Sequence, residues 1–198
     1  SRNLYPPRVD DFQSQLKLLH AYGWEETEFP SEWVENFNKY LSGITVMSAF
    51  VKNLLINNGV KIPIQVCGLG VDHINHLLPQ SDFQINSKKY NFLHVSSCFP
   101  RKGIFHLLKA FGQAFNNDDD VSLIIKTAPN LHNNVFSLLK QFRSIKSNYP
   151  HVLILDQDFS DSEMKALYKY SDALIAPSLG EGFGLPIAEA MILQIPVI

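Results

Sequence analysis

Cysteine is scarce, with two residues, Cys67 and Cys98, in a chain of 198. A small domain stapled by disulfides is therefore excluded, and both thiols are expected to be buried and free in a reducing compartment. Charge is sparse as well. Asp, Glu, Lys and Arg make up 18% of the residues and the formal net charge is −2. Nothing draws such a chain generally toward nucleic acid or anionic lipid, so no nucleic-acid partner is expected. No apolar run reaches membrane-spanning length and no Asn-x-Ser/Thr sequon occurs, which makes cytoplasmic residence the expectation. Three chemical signatures are also missing. No G-x-G-x-x-G follows a candidate strand, no P-loop occurs and no G-x-S-x-G elbow is present. Their absence argues against dehydrogenases, nucleotide hydrolases and esterases.

What the chain does contain is core-forming material. Hydrophobic residues make up 45%, including 14 Phe and 7 Tyr, which suits a packed globular protein. From Phe92 onward, strand and helix patterns alternate. Strands are expected at 92–96, 121–126, 152–156 and 173–176. Helices are expected at 103–115, with Leu107, Leu108, Phe111 and Phe115 on one face, at 135–146, and after the capping box Ser160-x-x-Glu163. Four β-α units with strands apolar throughout predict a parallel sheet covered on both faces.

The first 70 residues keep the same rhythm with fewer strands. LYPPRVDD reads as a loop, 16–22 as a strand, and Ser31 as the N-cap of a helix that Gly43 stops. The stretches 44–48 and 62–68 read as further strands, flanking a helix at 49–58 that ends at Gly59. Asp72 to Tyr90 is polar and aperiodic, so the boundary is placed near Gly70, giving domains 1–70 and 71–198. Ser1 opens abruptly, and Ile198 falls inside a strand-like Ile-Pro-Val-Ile with nothing after it to pair. The chain is expected to be a piece of a longer protein.

In open parallel α/β sheets, ligands bind beyond the carboxyl ends of the strands, where helix N-termini point. Four strand-to-helix loops of the second half qualify. In the first, Arg101 and Lys102 stand at a helix start beside Gly103; two cations, free amides and a glycine make a candidate phosphate site. In the last, glycines 180, 182 and 184 surround Glu181 and Phe183, and Leu185 opens a helix that carries Glu189. Glu189 is the one charged residue from Gly182 to Ile198. A carboxylate in so apolar a run needs a partner, because burying it unpaired costs several kcal/mol. The neighbouring sequence offers none, so a ligand is the expected partner. Lys126-Thr127 ends a strand on the same edge and could reach phosphate or sugar. His20, Glu25 and Glu26 follow a strand of the first domain. His73-x-x-His76 has helical metal spacing but no third ligand, and Asp118-Asp119-Asp120 lies on the opposite edge.

These residues also carry a resemblance. Glu181-Gly-Phe-Gly-Leu-Pro-Ile-Ala-Glu189 resembles the E-x7-E motif of the retaining family 4, or group 1, glycosyltransferases. Pro-Arg-Lys-Gly at 100–103 is similar to that family's first donor-domain loop, and Cys67-Gly-Leu-Gly-Val-Asp72 to the segment joining its two domains. The resemblance implies an α/β fold of GT-B type. A nearly complete Rossmann-like donor domain, truncated at its C-terminus, would follow the tail of an acceptor-side one.

It also implies a nucleotide-diphosphate sugar as donor, transfer of a hexosyl unit with retention to a saccharide or lipid-linked acceptor, and no cofactor or metal. By resemblance Lys102 holds the diphosphate, Glu189 the ribose hydroxyls and Glu181 the transferred sugar. Amides around Phe183, Gly184 and Leu185 bind sugar and phosphate oxygens. His20 is the nearest match to a histidine on the acceptor side. The chain departs where the family commonly has Gly-Arg and this sequence has Ser96-Ser97; Arg101 compensates there, or Ser97 hydrogen-bonds the phosphate. The 198-residue piece alone is expected to be inactive. Peripheral contact with the inner face of a membrane, through segments outside it, is left open. Two other readings stay open: another two-Rossmann sugar-nucleotide enzyme such as an epimerase, and a non-catalytic donor-binding relative.

Overall fold

The computed structural model describes residues 14–198; the loop expected at LYPPRVDD lies outside them. The chain divides into two units. The first holds residues up to Gly70 together with Gly180–Gly184, and the second holds Val71–Leu179 and Leu185–Ile198.

In the first unit, strands β1 (Leu18–Tyr22), β2 (Gly43–Val46) and β3 (Ile64–Val66) form a parallel sheet in the order β1-β2-β3. Helices α1 (Ser31–Tyr40) and α2 (Ala49–Asn57) connect them. The core gathers Tyr22, Phe29, Phe37, Ile44, Val46, Val51 and Leu55. Tyr22 meets Phe29 and Phe37 edge-on, an arrangement that suits the aromatic quadrupole, and Phe29 and Phe37 lie tilted at 52° to each other. Two local expectations shift. Ser31 is the first helical residue and Pro30 the cap, without a side-chain cap bond, while Gly43 begins β2 rather than stopping α1. Gly59, at φ +97°, is the left-handed stop after α2.

The second unit is built on β4 (Tyr90–Val95), β5 (Val121–Lys126), β6 (His151–Leu155) and β7 (Ala173–Leu174), all parallel in the order β6-β5-β4-β7. Its helices are α3 (His73–His76), α4 (Ile104–Ala114), α5 (Val135–Ile145), α6 (Asp161–Tyr170) and α7 (Leu185–Ile192). The two-residue alternation of a strand decides what each helix covers. Leu123 and Ile125 of β5 pack with Leu107, Leu108 and Phe111 of α4 and Val135 and Leu139 of α5. Ile124, between them, points the other way into Ile74, Leu167, Tyr168 and Ala190 of α3, α6 and α7. Each fully buried Leu or Ile contributes about 1.5–3 kcal/mol of transfer free energy, so both faces hold their helices.

The capping box at Ser160 and Glu163 forms in full, with reciprocal bonds at the start of α6. Strand β7 is shorter than its apolar run suggests, yet Leu174 bridges Val197, and Ile198 N–H donates to Leu174 O at 2.8 Å. The Ile-Pro-Val-Ile segment is thus paired at the sheet edge. Cys98 is buried as expected, whereas Cys67 is exposed, because it lies just past the end of the short strand β3.

Candidate functional site

The carboxyl ends of β4, β5, β6 and β7 release the loops 96–103, 127–134, 156–160 and 175–184. The first is fixed from below by His94, which is 3% exposed. Its Nδ1 lies 2.8 Å from Ile175 O and its Nε2 2.7 Å from Ser96 Oγ. A carbonyl can only accept, so Nδ1 carries a proton, while Nε2 and the Ser96 hydroxyl form the second hydrogen bond of the ring. Ser96 Oγ in turn accepts from Cys98 N–H at 3.0 Å, holding Cys98 in a left-handed conformation at φ +53°. Ser97 is pinned through its backbone, its carbonyl accepting from Asn130 Nδ2 at 2.9 Å.

A 3-10 turn, Pro100–Lys102, follows and ends at Gly103, which sits at φ +73° and opens α4. A Cβ at Gly103 would stand 2.0 Å from Pro177 O. Only glycine lets the two loops come this close, and Leu179 N–H seals them by donating to Arg101 O at 2.8 Å. Arg101 and Lys102 are thereby carried on the same edge as the segment that leads out of β7.

Lys126 and Thr127 are committed to structure. Lys126 Nζ donates to Thr127 O at 2.9 Å and Gln157 O at 3.0 Å and lies 5.0 Å from the Phe159 ring centroid. Burial lowers its pKa, with Asp158 and Asp156 acting the other way. It ties the β5 loop to the β6 loop. The Thr127 hydroxyl accepts from Asn133 Nδ2 at 2.9 Å.

Glu189 lies in α7, and its side chain is 14% exposed. It does have protein partners, from outside its own helix. The Tyr168 hydroxyl of α6 donates to Oε2 at 2.8 Å, and His73 Nε2 of α3 stands 3.3 Å from Oε1. Burial first, then the charge and hydrogen bond of Glu189, push the Tyr168 phenol well above the ordinary tyrosine range. It therefore stays protonated and remains a donor. Among the described residues no three His, Cys, Asp or Glu side chains gather as a metal site.

The second unit thus holds Ser97, Arg101, Lys102, Gly103, Lys126 and Thr127 at the carboxyl ends of β4 and β5 and in the loops that follow them, and Leu185 and Glu189 in α7. Glu181, Gly182, Phe183 and Gly184 are counted with the first unit, as is His20. There a Cβ on Gly182 would stand 3.3 Å from Met47 Cε, and His20 Nδ1 lies 2.7 Å from Thr45 Oγ1. Three contributors were missed in the sequence: His94, Tyr168 and His73. Tyr168 reads as an ordinary apolar position of α6 and His73 as half of an incomplete metal pair. A paired reading of the lone Glu189 against buried phenols could have found Tyr168.

The model of the family described as glycosyl transferases group 1 matches residues 80–198. The chain belongs to the group 1 glycosyl transferases. Among curated proteins, this glycosyltransferase chain is 37% identical over 111 residues to the serotype-specific mannosyltransferase WbdA of Escherichia coli, covering 54% of this chain and 13% of that protein. It is 27% identical over 157 residues to the MMP α-(1→4)-mannosyltransferase of Mycolicibacterium hassiacum, covering 78% and 36%. The chain therefore spans about an eighth to a third of the curated relatives it matches. Among solved structures, Anabaena Alr3699/HepE in complex with UDP-glucose superposes with a TM-score of 0.71 at 22% identity, over 91% of this chain and 52% of that one. The fold is α/β with parallel sheets of the GT-B glycosyltransferase kind. No helix among the described residues is long and apolar enough to cross a membrane.

Proposed function

We propose that the protein transfers a hexosyl unit, with retention of anomeric configuration, from a nucleotide-diphosphate sugar to a saccharide or lipid-linked acceptor. The observation that carries this reading is the joining of the loops after β4 and β7, at Gly103 against Pro177 and Leu179 N–H on Arg101 O. It keeps the cationic turn of a group 1 glycosyltransferase on the carboxyl edge of the sheet that also bears α7 and Glu189.

The chemistry follows from the leaving group. As the bond from the anomeric carbon to the diphosphate breaks and one to an acceptor hydroxyl forms, negative charge grows on a phosphate oxygen, which finally takes the acceptor's proton. Lys102, Arg101 and the amides at the start of α4 supply preorganised stabilisation of that charge. Ser97 adds a hydroxyl where relatives commonly carry an arginine. Glu189 accepts from ribose hydroxyls and Glu181 from hydroxyls of the transferred sugar. Amides of Gly182 to Leu185 bind its oxygens, and His20 serves the acceptor side. Lys126 and Thr127 shape the donor floor through the loops they tie. No metal or cofactor is invoked. On this reading the segment up to Gly70 is acceptor-side tail and the remainder the donor domain. The enzyme works in the cytoplasm and meets lipid-linked acceptors at a membrane surface through other parts of the whole protein. The 198-residue chain alone is not expected to turn over.

Because both curated relatives are named mannosyltransferases, GDP-mannose is the first donor to assay, beside UDP and ADP sugars. Calorimetry on this chain is expected to show one nucleotide bound, with Lys102→Ala weakening it about tenfold or more, the loss of a charge-assisted contact. If no nucleotide binds, the donor-site reading fails. In the full-length protein, nucleotide release should require acceptor. An altered donor sugar formed without acceptor would instead make it an epimerase, and binding without release a non-catalytic relative.

A further inference from the structure

Each oxygen of Glu189 meets one group from a different element: Tyr168 of α6 on Oε2 at 2.8 Å and His73 of α3 near Oε1 at 3.3 Å. Tyr168 is wholly buried and packs with Leu167, Leu174 and Ala190, so its ring cannot swing away. His73 is half exposed, with 52% of its side chain accessible. A carboxylate has about four lone-pair sites. One is met by the Tyr168 hydroxyl and His73 Nε2 stands within ion-pair distance of the other oxygen, and the 14% exposure of the Glu189 side chain leaves further sites reachable. Held at both oxygens, the carboxylate plane cannot rotate freely, and each oxygen keeps capacity to accept from outside.

We propose that Tyr168 and His73 are positioning residues that fix Glu189 with one free acceptor site on each oxygen, so that it reads two adjacent hydroxyls of one ligand. This rests on the donor-site reading, in which those hydroxyls are the ribose 2′- and 3′-OH. A glutamate free to rotate still meets either hydroxyl singly. A fixed one meets both together, so orientation converts a general acceptor into a discriminator for the intact diol. Tyr168 contributes most, because its hydroxyl is buried and bonded at the shorter distance.

The test compares each nucleoside diphosphate that wild type binds, among GDP, UDP and ADP, with its 2′-deoxy form. Calorimetric affinities are taken for wild type, Tyr168→Phe, His73→Ala and His73→Gln. Wild type should prefer the ribose form. Tyr168→Phe should reduce that preference about tenfold, the worth of one hydrogen bond to a charged group, while affinity for the deoxy form changes little. His73→Ala should reduce it less, and His73→Gln, which keeps a donor, should restore most of it. A purely structural role would weaken both ligands equally and leave the ratio unmoved, and that result overturns the proposal. So does a wild type that binds nucleotide without ribose preference. Wild type that binds none refutes the donor-site reading instead. Should Tyr168→Phe fail to fold, the His73 pair, at a half-exposed position, decides.

Discussion

Replacing Gly103 by alanine tests the joint that unites the two loops. Two costs add. The residue sits at φ +73°, where a Cβ crowds its own backbone by about 1–2 kcal/mol. That Cβ would also lie 2.0 Å from Pro177 O and 2.9 Å from Pro177 C. Both are backbone atoms, so the 177–179 segment itself must move. Relieving such a contact costs about 1–3 kcal/mol by analogy with overpacked cores. A stiffer unfolded chain returns about 0.4–1 kcal/mol. The net expectation is a loss of about 1–5 kcal/mol, roughly fivefold or more in the folding equilibrium. Urea denaturation followed by circular dichroism measures it, with Gly70→Ala as control: a Cβ there meets nothing within 4 Å, and the change should stay within about 0.5 kcal/mol. The displaced loop should also weaken nucleotide binding, since Leu179 N–H loses its grip on Arg101 O. Equal midpoints for Gly103→Ala and Gly70→Ala would refute the reasoning.

Two further outcomes concern the scaffold. Ser160→Ala removes the hydroxyl of the capping box at α6, the helix that carries Tyr168, and should cost about 1 kcal/mol; a thermal midpoint unchanged within error would contradict the box. His151, bonded through Nδ1 to Ser122 Oγ at 2.9 Å, has its pKa lowered by burial and then by Lys88 and Arg143. The unfolded chain therefore binds more protons than the folded one once pH drops below the ordinary imidazole value of about 6.5. Stability from this group is complete above that value and declines as pH falls through the folded pKa. His151→Gln should flatten the decline in urea midpoint between pH 7.5 and pH 5.5, and equal declines in variant and wild type would rule the contribution out.

How far the sequence could be read depends on the range of the interaction. The β-α alternation of the second unit rests on local period, and α4 shows it: Leu107, Leu108 and Phe111 mark the buried face in sequence and in structure. The Ser160-Glu163 box is likewise complete within four residues. Terminal residues shifted where a tertiary bond competed with a local signal, as at Gly43, drawn into β2 by Ile44 N–H bonding Pro63 O. The candidate site could be read from the sequence only as an edge and a cluster of residue types. What could not be read was how Glu189 is held, because its partners arrive from α6 and α3 and are specified by packing alone. The same holds for His94, whose role depends on Ile175 of a neighbouring strand.

The central claim is that the donor nucleotide binds at the carboxyl edge of the sheet in the second unit. Backbone amide NMR of the labelled chain, titrated with GDP-mannose or whichever nucleotide sugar binds, tests it most directly. The account predicts shifts concentrated at Ser97 to Gly103 and Leu185 to Glu189, with little change at Asp118 to Asp120 on the opposite edge. Shifts centred on 118–120, or spread evenly with none at Lys102 and Gly103, would contradict it.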